Sequence, residues 1–289
     1  VLSVIVPTRD TRELALACLA ALAAAEEAGE IEVLVVDDAS RDGTAGAVAA
    51  AFPAARVLEL PAAVGFTAAA NRGLAAARGD ILLLLNSDTE IARDGLAALR
   101  RALAAAPRLG VAGAQLHYPD GRAQWSGGPA PSLLWLLAQS SGLPALLAGR
   151  LRRPLRGHRG GPVEWVTGAA LAVRRRVLEE IGPLDERFAF YAQDLDFCLR
   201  ARRRGWEVAV VPGFNVLHHH GASIGRAAGA VRGVEPGLLW QDLLRWAEKS
   251  RGPAWRRRAG RAVALGSALR LAARALRQPF LRSTRRDAF

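Results

Sequence analysis

Residues 31–44 read Ile31-Glu32-Val33-Leu34-Val35-Val36-Asp37-Asp38-Ala39-Ser40-Arg41-Asp42-Gly43-Thr44, a branched apolar run that ends abruptly in two carboxylates and a turn. Such a run suits a strand buried on both faces, and the Asp/Ser/Gly cluster punctuates it. The alanine-rich stretch from Thr44 to Ala51 then reads as a helix. One strand handing over to one helix is half of a βαβ unit, and the pattern recurs on either side. Strands are expected at Leu2–Val6, Ile31–Val36, Val57–Leu60, Ile81–Leu85 and Val111–Leu116, with helices at Arg12–Ala25, Thr44–Ala51, Thr67–Ala77 and Gly95–Ala105. The fold class that follows is α/β, a Rossmann-like and mostly parallel sheet flanked by helices.

Ligands of such sheets bind at the carboxyl ends of the strands. Those ends carry Pro7-Thr8-Arg9, Asp37-Asp38-Ala39-Ser40 and Asn86-Ser87-Asp88, so three polar clusters are expected on one rim. Further along, residues 127–162 break the alternation. The apolar stretch Leu133–Ala148 is interrupted by Gln139, Ser140, Ser141 and Pro144, too short and too broken to span a bilayer, and a basic Gly/Pro stretch from Arg150 to Pro162 follows. We read this segment as a mobile excursion over the site. The chain then resumes with a strand at Leu171–Val173, a helix near Arg176–Ile181, a helix from Asp194 to Arg204 closed by Gly205, and strands at Glu207–Val211 and Phe214–His218.

The 289 residues, 51% apolar, suffice for one large domain with an appendage. We divide them into a main α/β domain, 1–230, whose halves part at residues 120 and 121, and a basic helical tail, 231–289. From Arg245 onward thirteen Lys/Arg face Glu248 and Asp287, so the tail carries +11 of the net +12. The remainder is nearly neutral, which argues against a nucleic-acid partner and for an anionic surface met by the tail, either membrane lipid or an acidic acceptor. Leu238–Trp246 and Ala262–Leu276 have the amphipathic pattern of interfacial helices; packing on the main domain would account for the same pattern. Cys18 and Cys198 share no metal-type spacing and read as buried free thiols of a reducing compartment. The first six residues already form a strand pattern with no basic leader, so no signal peptide is expected. A cytoplasmic, membrane-peripheral location follows.

Paired carboxylates at Asp37-Asp38 repel unless a donor engages them, and one of them is suited to a base N–H or ribose hydroxyls. A turn and helix cap from Ser40, Asp42 or Thr44 is the plainer reading. Asp88, leaving a strand of leucines, is placed to hold Mg2+ or Mn2+, cations that prefer oxygen ligands and leave positions for a diphosphate; capping a helix that begins near Ile91 is the alternative. His218-His219-His220 ends another strand, and one imidazole there suits the same ion. Asp194, at a helix start, caps that helix, and the helix dipole should lower its pKa and keep it ionised, ready to accept a proton. Gly65 can bring backbone near a phosphate, and Asn71 and Arg72 can reach the donor, unless they are ordinary helix-surface residues. A G-x-G-x-x-G after the first strand and a P-loop are both absent, which excludes ordinary dehydrogenases and P-loop ATPases.

Together these clusters resemble the family 2 glycosyltransferases, in particular their bacterial rhamnosyltransferase-like branch. The resemblance covers roughly residues 1–225, and weakly the tail. It rests on Ser3-Val4-Ile5-Val6-Pro7-Thr8, Val35-Val36-Asp37-Asp38-Ala39-Ser40, Gly65-Phe66, Asn71-Arg72-Gly73-Leu74, Asn86-Ser87-Asp88 and Thr167-Gly168-Ala169. It continues through Gly182-Pro183-Leu184-Asp185-Glu186-Arg187-Phe188, Asp194-Leu195-Asp196 and His218 to Gly221-Ala222-Ser223. The resemblance implies a GT-A fold and an inverting, metal-dependent transfer from a nucleotide-diphosphate sugar, such as dTDP-rhamnose, to a glycan or lipid-linked glycan. It implies that Asp38 reads the base with Asp37 in support, and that Pro7, Thr8, Arg9, Gly65, Asn71, Asn86 and Ser87 line the donor. Asp88 and His218 would hold the metal, with His219 the next candidate. Gly168, Ala169 and Gln193 would lie on the acceptor side, and Asp194 would be the general base. Gln193 stands where glutamate is usual, Arg9 where tyrosine or asparagine is, and Ala63 where asparagine precedes Gly-Phe. A nucleotidyltransferase and a catalytically inactive GT-A-like protein at the membrane are the competing readings.

Overall fold

The computed structural model describes residues 1–25, 31–143, 160–188, 190–219 and 236–283. The chain falls into two compact units: Val1–Pro129 with Gly157–Asp242, and Ala130–Arg156 with Leu243–Phe289. The expected boundary at 230/231 lies outside the described residues.

The first unit is built on strands β1 (Leu2–Thr8), β2 (Ile31–Asp37), β3 (Arg56–Glu59) and β4 (Ile81–Leu85), in the parallel order β3-β2-β1-β4. Helices α1 (Arg12–Ala25), α2 (Thr44–Ala51) and α3 (Phe66–Ala76) make the crossovers. The chain leaves β1 toward β2 and β3, then returns to β1's other side as β4. That reversal opens a crevice at the carboxyl ends, where such sheets take ligands. Both faces are covered. Val4, Val6, Leu83 and Leu85 point into one core with α1, whereas Ile5, Leu34, Val36, Leu82 and Leu84 point into the other with α3. Gly73 explains part of the Asn71-Arg72-Gly73 pattern: a Cβ there would lie 2.3 Å from Ile5 Cγ2 and 2.8 Å from Val36 Cγ2, so the absent side chain lets α3 lie close on the sheet.

The sheet continues through β10 (Ala170–Arg174), antiparallel to β4, then β6 (Leu109–His117), β11 (Glu207–His218) and β5 (Thr89–Ile91). Short pieces β7 (Gly127–Gly128), β8 (Gly161–Pro162) and β9 (Trp165–Val166) were not anticipated. Helices α4 (Gly95–Ala105), α6 (Arg175–Ile181) and α7 (Gln193–Arg203) complete this half, and α5 (Leu133–Ser141) belongs to the second unit.

Two local expectations are corrected. Thr89–Ile91 is a strand, and the next helix starts at Gly95, where the alternation placed it and not near Ile91, so Asp88 is not its cap. Antiparallel pairing of Thr89 with His218 and Ile91 with Val216 overrides the local cap signal. The two strands expected around Pro212-Gly213 form one, β11, whose pairing with β6 shifts register between Val210 and Asn215, with Gly213 at φ 83°. A bulge takes up the Pro-Gly pair without ending the strand.

In the second unit, α5 is capped by Ser132, whose Oγ accepts the Trp135 amide at 3.1 Å, and closed by Gly142 in the left-handed region. Most of the excursion beyond it, 144–159, lies outside the described residues. The tail forms α8 (Pro236–Arg251), whose residues to Asp242 belong to the first unit, and α9 (Pro253–Ser283). Gly266 of α9 crosses α5 tightly, a Cβ there falling 2.6 Å from Leu137 O. Trp246 and Trp255 meet edge to face at 5.9 Å with Arg251 over both rings. Leu243, Trp246 and Ala247 are buried, so α8 does not present the free amphipathic face its sequence suggested. Among the described residues no helix is long and apolar enough to cross a membrane.

Candidate active site

The carboxyl-end clusters meet through a chain of hydrogen bonds. The Asp38 amide donates to Thr8 O at 2.9 Å. Thr8 Oγ1 lies 2.6 Å from Thr11 Oγ1, and Thr11 Oγ1 lies 3.1 Å from Ser87 Oγ. The neighbouring Asn86 amide donates to Ala169 O at 2.9 Å, and the Gly168 amide donates to Asp194 Oδ2 at 2.7 Å. Residues spread from 8 to 194 thus share one rim. Thr11, at the join, was missed in the sequence; it lies in the turn between Asp10 and α1 and carries no motif of its own.

At one end of the rim the adjacent carboxylates face different donors. Asp37 accepts from the Ser40 amide at 3.0 Å and from the Ser40 hydroxyl. Asp38, also buried, accepts from the amides of Val64 at 2.6 Å and Gly65 at 3.0 Å. Their mutual repulsion is therefore offset inside the protein. Gly65 has φ 89°, and nothing lies within 4 Å of where its Cβ would be, so the turn is open above the backbone. Asp42, not Ser40, ties the helix starts, accepting from the amides of Arg12 at 2.9 Å and Thr44 at 3.0 Å. Pro7 is buried in β1, and Arg9 is exposed beside Asp10.

Asn71 points elsewhere. Its amide nitrogen donates to Leu184 O at 2.9 Å and Glu186 Oε1 at 3.0 Å, and its oxygen accepts the Leu184 amide at 3.0 Å. It pins the loop after α6 to α3, and Thr67 Oγ1 does the same by donating to Phe188 O at 2.7 Å. Arg72 turns back onto Ala68 O.

Asp88 is 1% exposed, with Oδ1 3.5 Å from His218 Nε2. The β5–β11 register brings them together, and the His219 amide donates to Asp88 O at 2.9 Å. Gln124, another residue the sequence did not flag, fixes the imidazole. Its amide nitrogen donates to His218 O at 2.6 Å and His117 O at 3.2 Å, so its oxygen faces His218 Nδ1 at 2.9 Å. That arrangement assigns the proton to Nδ1 and turns Nε2 toward the carboxylate. Two electron-rich atoms at that separation suit a cation between them. The Asn86 side-chain oxygen is buried with no hydrogen-bond partner among the described residues. Asp88 Oδ1 and His218 Nε2 are donors of the kind that Mg2+ or Mn2+ takes while keeping water or diphosphate oxygens in its shell. Among the described residues no group of three or more His, Cys, Asp or Glu side chains could hold a metal. His219 pairs with Glu90 at 2.7 Å; His220 and Gly221-Ala222-Ser223 lie outside the described residues.

At the other end, α7 begins one residue before Asp194, after Ala192 in the left-handed region (φ 66°). Asp194 is therefore inside the first turn and not its cap. It accepts from the amides of Gly168 and, at 2.8 Å, Leu195. The expected lowering of its pKa is reversed: burial pushes it up to about 6, outweighing the backbone hydrogen bonds that pull it down. Gln193 is buried beside it, and its side-chain oxygen has no partner among the described residues. Asp10, Ala39 and Ala192 are the described non-glycine residues with positive φ, and all three lie in turns of this rim. Each costs about 1–2 kcal/mol, a strain typical of functional turns. Cys18 and Cys198 are buried free thiols; burial raises both pKa values, that of Cys18 to about 12, so neither is a nucleophile.

Known proteins resemble this chain in sequence and in fold. A Mycobacterium tuberculosis protein, N-acetylglucosaminyl-diphospho-decaprenol L-rhamnosyltransferase, is 32% identical over 230 residues, spanning 72% of this chain and 72% of that protein. The Myxococcus xanthus O-antigen biosynthesis protein RfbC is 29% identical over 254 residues, 84% of this chain but 19% of the longer protein. Among solved structures, S. aureus TarS 1–349 is similar with a TM-score of 0.55 at 18% identity, over 93% of this chain and 71% of that one. The mannosyltransferase PcManGT of Pyrobaculum calidifontis, in complex with GDP-Man and Mn2+, gives 0.54 at 21% identity, over 96% and 80%. These two likenesses bear on the fold, which is of the GT-A type. The model of the glycosyl transferase family 2 matches residues 3–182, and the chain belongs to that family.

Proposed function

We propose that the protein transfers a sugar, L-rhamnose from dTDP-rhamnose as the first candidate, to a hydroxyl of a polyprenyl-diphosphate-linked glycan in cell-envelope assembly, with inversion. The hydrogen-bond chain that joins Asp38, Ser87 and Asp194 on one rim carries this reading, because it gathers groups suited to a nucleotide, a diphosphate and an alcohol. The Mycobacterium tuberculosis relative supports the choice of donor sugar and lipid-linked acceptor by its name. The Mn2+ complex of PcManGT supports a divalent cation.

In this mechanism Asp38 and the open turn at Gly65 hold the nucleoside, with Pro7, Thr8, Arg9 and Ser87 lining the donor. Asn71 is left out, since its amide is engaged with Leu184 and Glu186. Asp88 and His218 would hold Mg2+ or Mn2+, which supplies electrostatic stabilisation of the charge on the diphosphate leaving group. Asp194 accepts the acceptor hydroxyl's proton; that oxygen bonds to the anomeric carbon from the face opposite the diphosphate, and the bond from carbon to diphosphate oxygen breaks. A pKa of about 6 suits a general base, because the group is mostly ionised at neutral pH yet basic enough to take a proton. Gly168 and Ala169 form the acceptor-side wall, and the Gln193 oxygen offers an acceptor for a sugar hydroxyl.

The same reading includes a membrane surface as partner. On α9, Leu265, Leu269 and Leu271 are exposed together with Ala264, Ala268, Ala272 and Ala275, and Arg270 and Arg274 are the charges within that stretch. An apolar face edged by arginine suits the interface of an anionic bilayer. This would hold the enzyme at the cytoplasmic leaflet, beside a lipid-linked acceptor.

Turnover of dTDP-rhamnose, UDP-GlcNAc and GDP-mannose with a polyprenyl-diphospho-GlcNAc acceptor, with Mn2+ or with chelator, tests the reading. Metal-dependent transfer from dTDP-rhamnose with inverted anomeric configuration is expected. Transfer indifferent to chelator, or retention of configuration, would refute the mechanism, and preference for another nucleotide would replace the donor. Flotation with phosphatidylglycerol vesicles should be lost when Leu265, Leu269 and Leu271 are changed to Gln; unchanged flotation removes the membrane face.

A further inference from the structure

We propose that Asp242 of α8 is a positioning residue for Asp194, an inference that rests on the reading of Asp194 as proton acceptor. Asp242 has no exposed surface, and its Oδ2 accepts from the amides of Tyr191 at 3.1 Å and Phe190 at 3.3 Å. These are the residues just before Ala192, the left-handed turn from which α7 and Asp194 emerge. A non-glycine residue stays in that conformation when its flanks are held. On the downstream flank the holding bonds run from Gly168 and Leu195 to Asp194 itself; on the upstream flank they run to Asp242. The Phe190 ring also packs on Phe66 at 5.4 Å, next to the Gly65 amide that Asp38 holds. Asp242 thus joins the first turns of α8 to both ends of the rim.

The carboxylate lies outside the matched family segment, 3–182, and comes from a helix whose sequence suggested a membrane role. Removing it leaves two amides with their acceptor lost, and burying unpaired donors is costly. The cheaper outcome is for the turn to relax, rotating Gln193 and Asp194 away from Gly168. A displacement of about 1 Å in a reacting group lowers turnover by about 10²-fold. Asparagine at 242 retains an oxygen where Oδ2 lies and should keep the turn.

The experiment compares Asp242→Ala, Asp242→Asn and Asp242→Glu in the full chain, by steady-state transfer from dTDP-rhamnose and by amide hydrogen exchange. Asp242→Ala should lower kcat by about 10²-fold with the donor KM within about threefold of wild type. Exchange should quicken at Phe190, Tyr191, Leu195 and Gly168 while the amides of β1 and β4 stay protected. Asp242→Asn should restore both readouts to within a few-fold. Should Asp242→Ala not fold, Asp242→Glu, whose extra methylene displaces the oxygens, is expected to show the same split. Native kcat in Asp242→Ala or Asp242→Glu, unchanged exchange at Leu195 and Gly168, or uniform loss of protection across the sheet would overturn the proposal. The exchange arm needs no substrate, so a wild-type enzyme inactive on dTDP-rhamnose would count against the donor and leave the test of Asp242 standing. A native rate in Asp194→Asn would remove the proton-acceptor reading, distinguishably from either.

Discussion

At one end of the rim Asp38 meets the amides of Val64 and Gly65, from the loop that follows β3, the neighbouring strand in the same parallel layer. At the other end Asp194 meets Gly168, from the turn before β10, and the loop that presents it is held by Asp242, 51 residues beyond Tyr191. The first end is assembled by the register of adjacent strands and by the short loops that follow them, with turns of its own in left-handed backbone at Asp10 and Ala39. A β-branched run placed beside another leaves its terminal carboxylates at the carboxyl edge, whatever follows in the chain. The second end depends in addition on a contact from a helix much further along the chain, that of Asp242 with the loop before Ala192. The end proposed for the nucleotide is therefore expected to tolerate substitution remote from it, and the end proposed for the acceptor to be sensitive to such changes.

Substitutions at the two ends should separate these behaviours. The largest effect is expected for Asp194→Asn, which removes the proposed proton acceptor and should slow transfer by roughly 10²–10⁴-fold at saturating donor. The same change should leave the fold as stable as wild type or more so at pH 8. A carboxyl whose folded-state pKa is raised from 3.8 to about 6 stabilises the fold most below the lower value, and that contribution is lost as the pH rises through about 6. Above that pH, keeping Asp194 ionised costs on the order of 3 kcal/mol. Thermal unfolding at pH 5 and pH 8 reads it, and a variant much less stable than wild type at pH 8 would show that Asp194 is mainly structural.

Next in size, Asp88→Asn should lower transfer by about 10²–10³-fold and weaken Mn2+ binding in calorimetry; unaltered Mn2+ affinity would move the cation elsewhere. The wild-type rate itself should fall about tenfold per pH unit below about 6, following protonation of Asp194. A flat profile from pH 5 to 8 would contradict that assignment. The smallest effect is expected at Asp38→Ala. Two amides lose their acceptor there, a cost of about 1–3 kcal/mol in stability, and dTDP should bind more weakly with little change in kcat. A fall in kcat as large as that of Asp194→Asn would erase the distinction between the ends.

The same contrast governs what could be read from the sequence. The βα alternation to residue 117 was legible because strands buried on both faces must be continuous apolar runs, and the polar residues that end them must lie on one edge. β5 was not legible, because Asp88-Thr89 satisfies a helix cap locally and only pairing with His218 makes it a strand. Asp194 was identifiable as a group, yet its ionisation was misjudged: the dipole argument is local, whereas its burial depends on distant chain. Gln124 gave no signal, since one glutamine before Trp125 resembles any other. Asp242 did leave a trace, a lone carboxylate in the apolar run from Leu238 to Trp246, and its meaning appears only when Phe190 and Tyr191 arrive beside it.

The central claim, that carboxylates distant in sequence surround one cation and one nucleotide, is tested most directly by Mn2+-induced line broadening in the amide NMR spectrum with dTDP bound. Broadening centred on Ser87 and His219 and reaching Ala169 and Leu195, all abolished in Asp88→Asn, is the expected result. Broadening confined to another surface, or unchanged in Asp88→Asn, would contradict it.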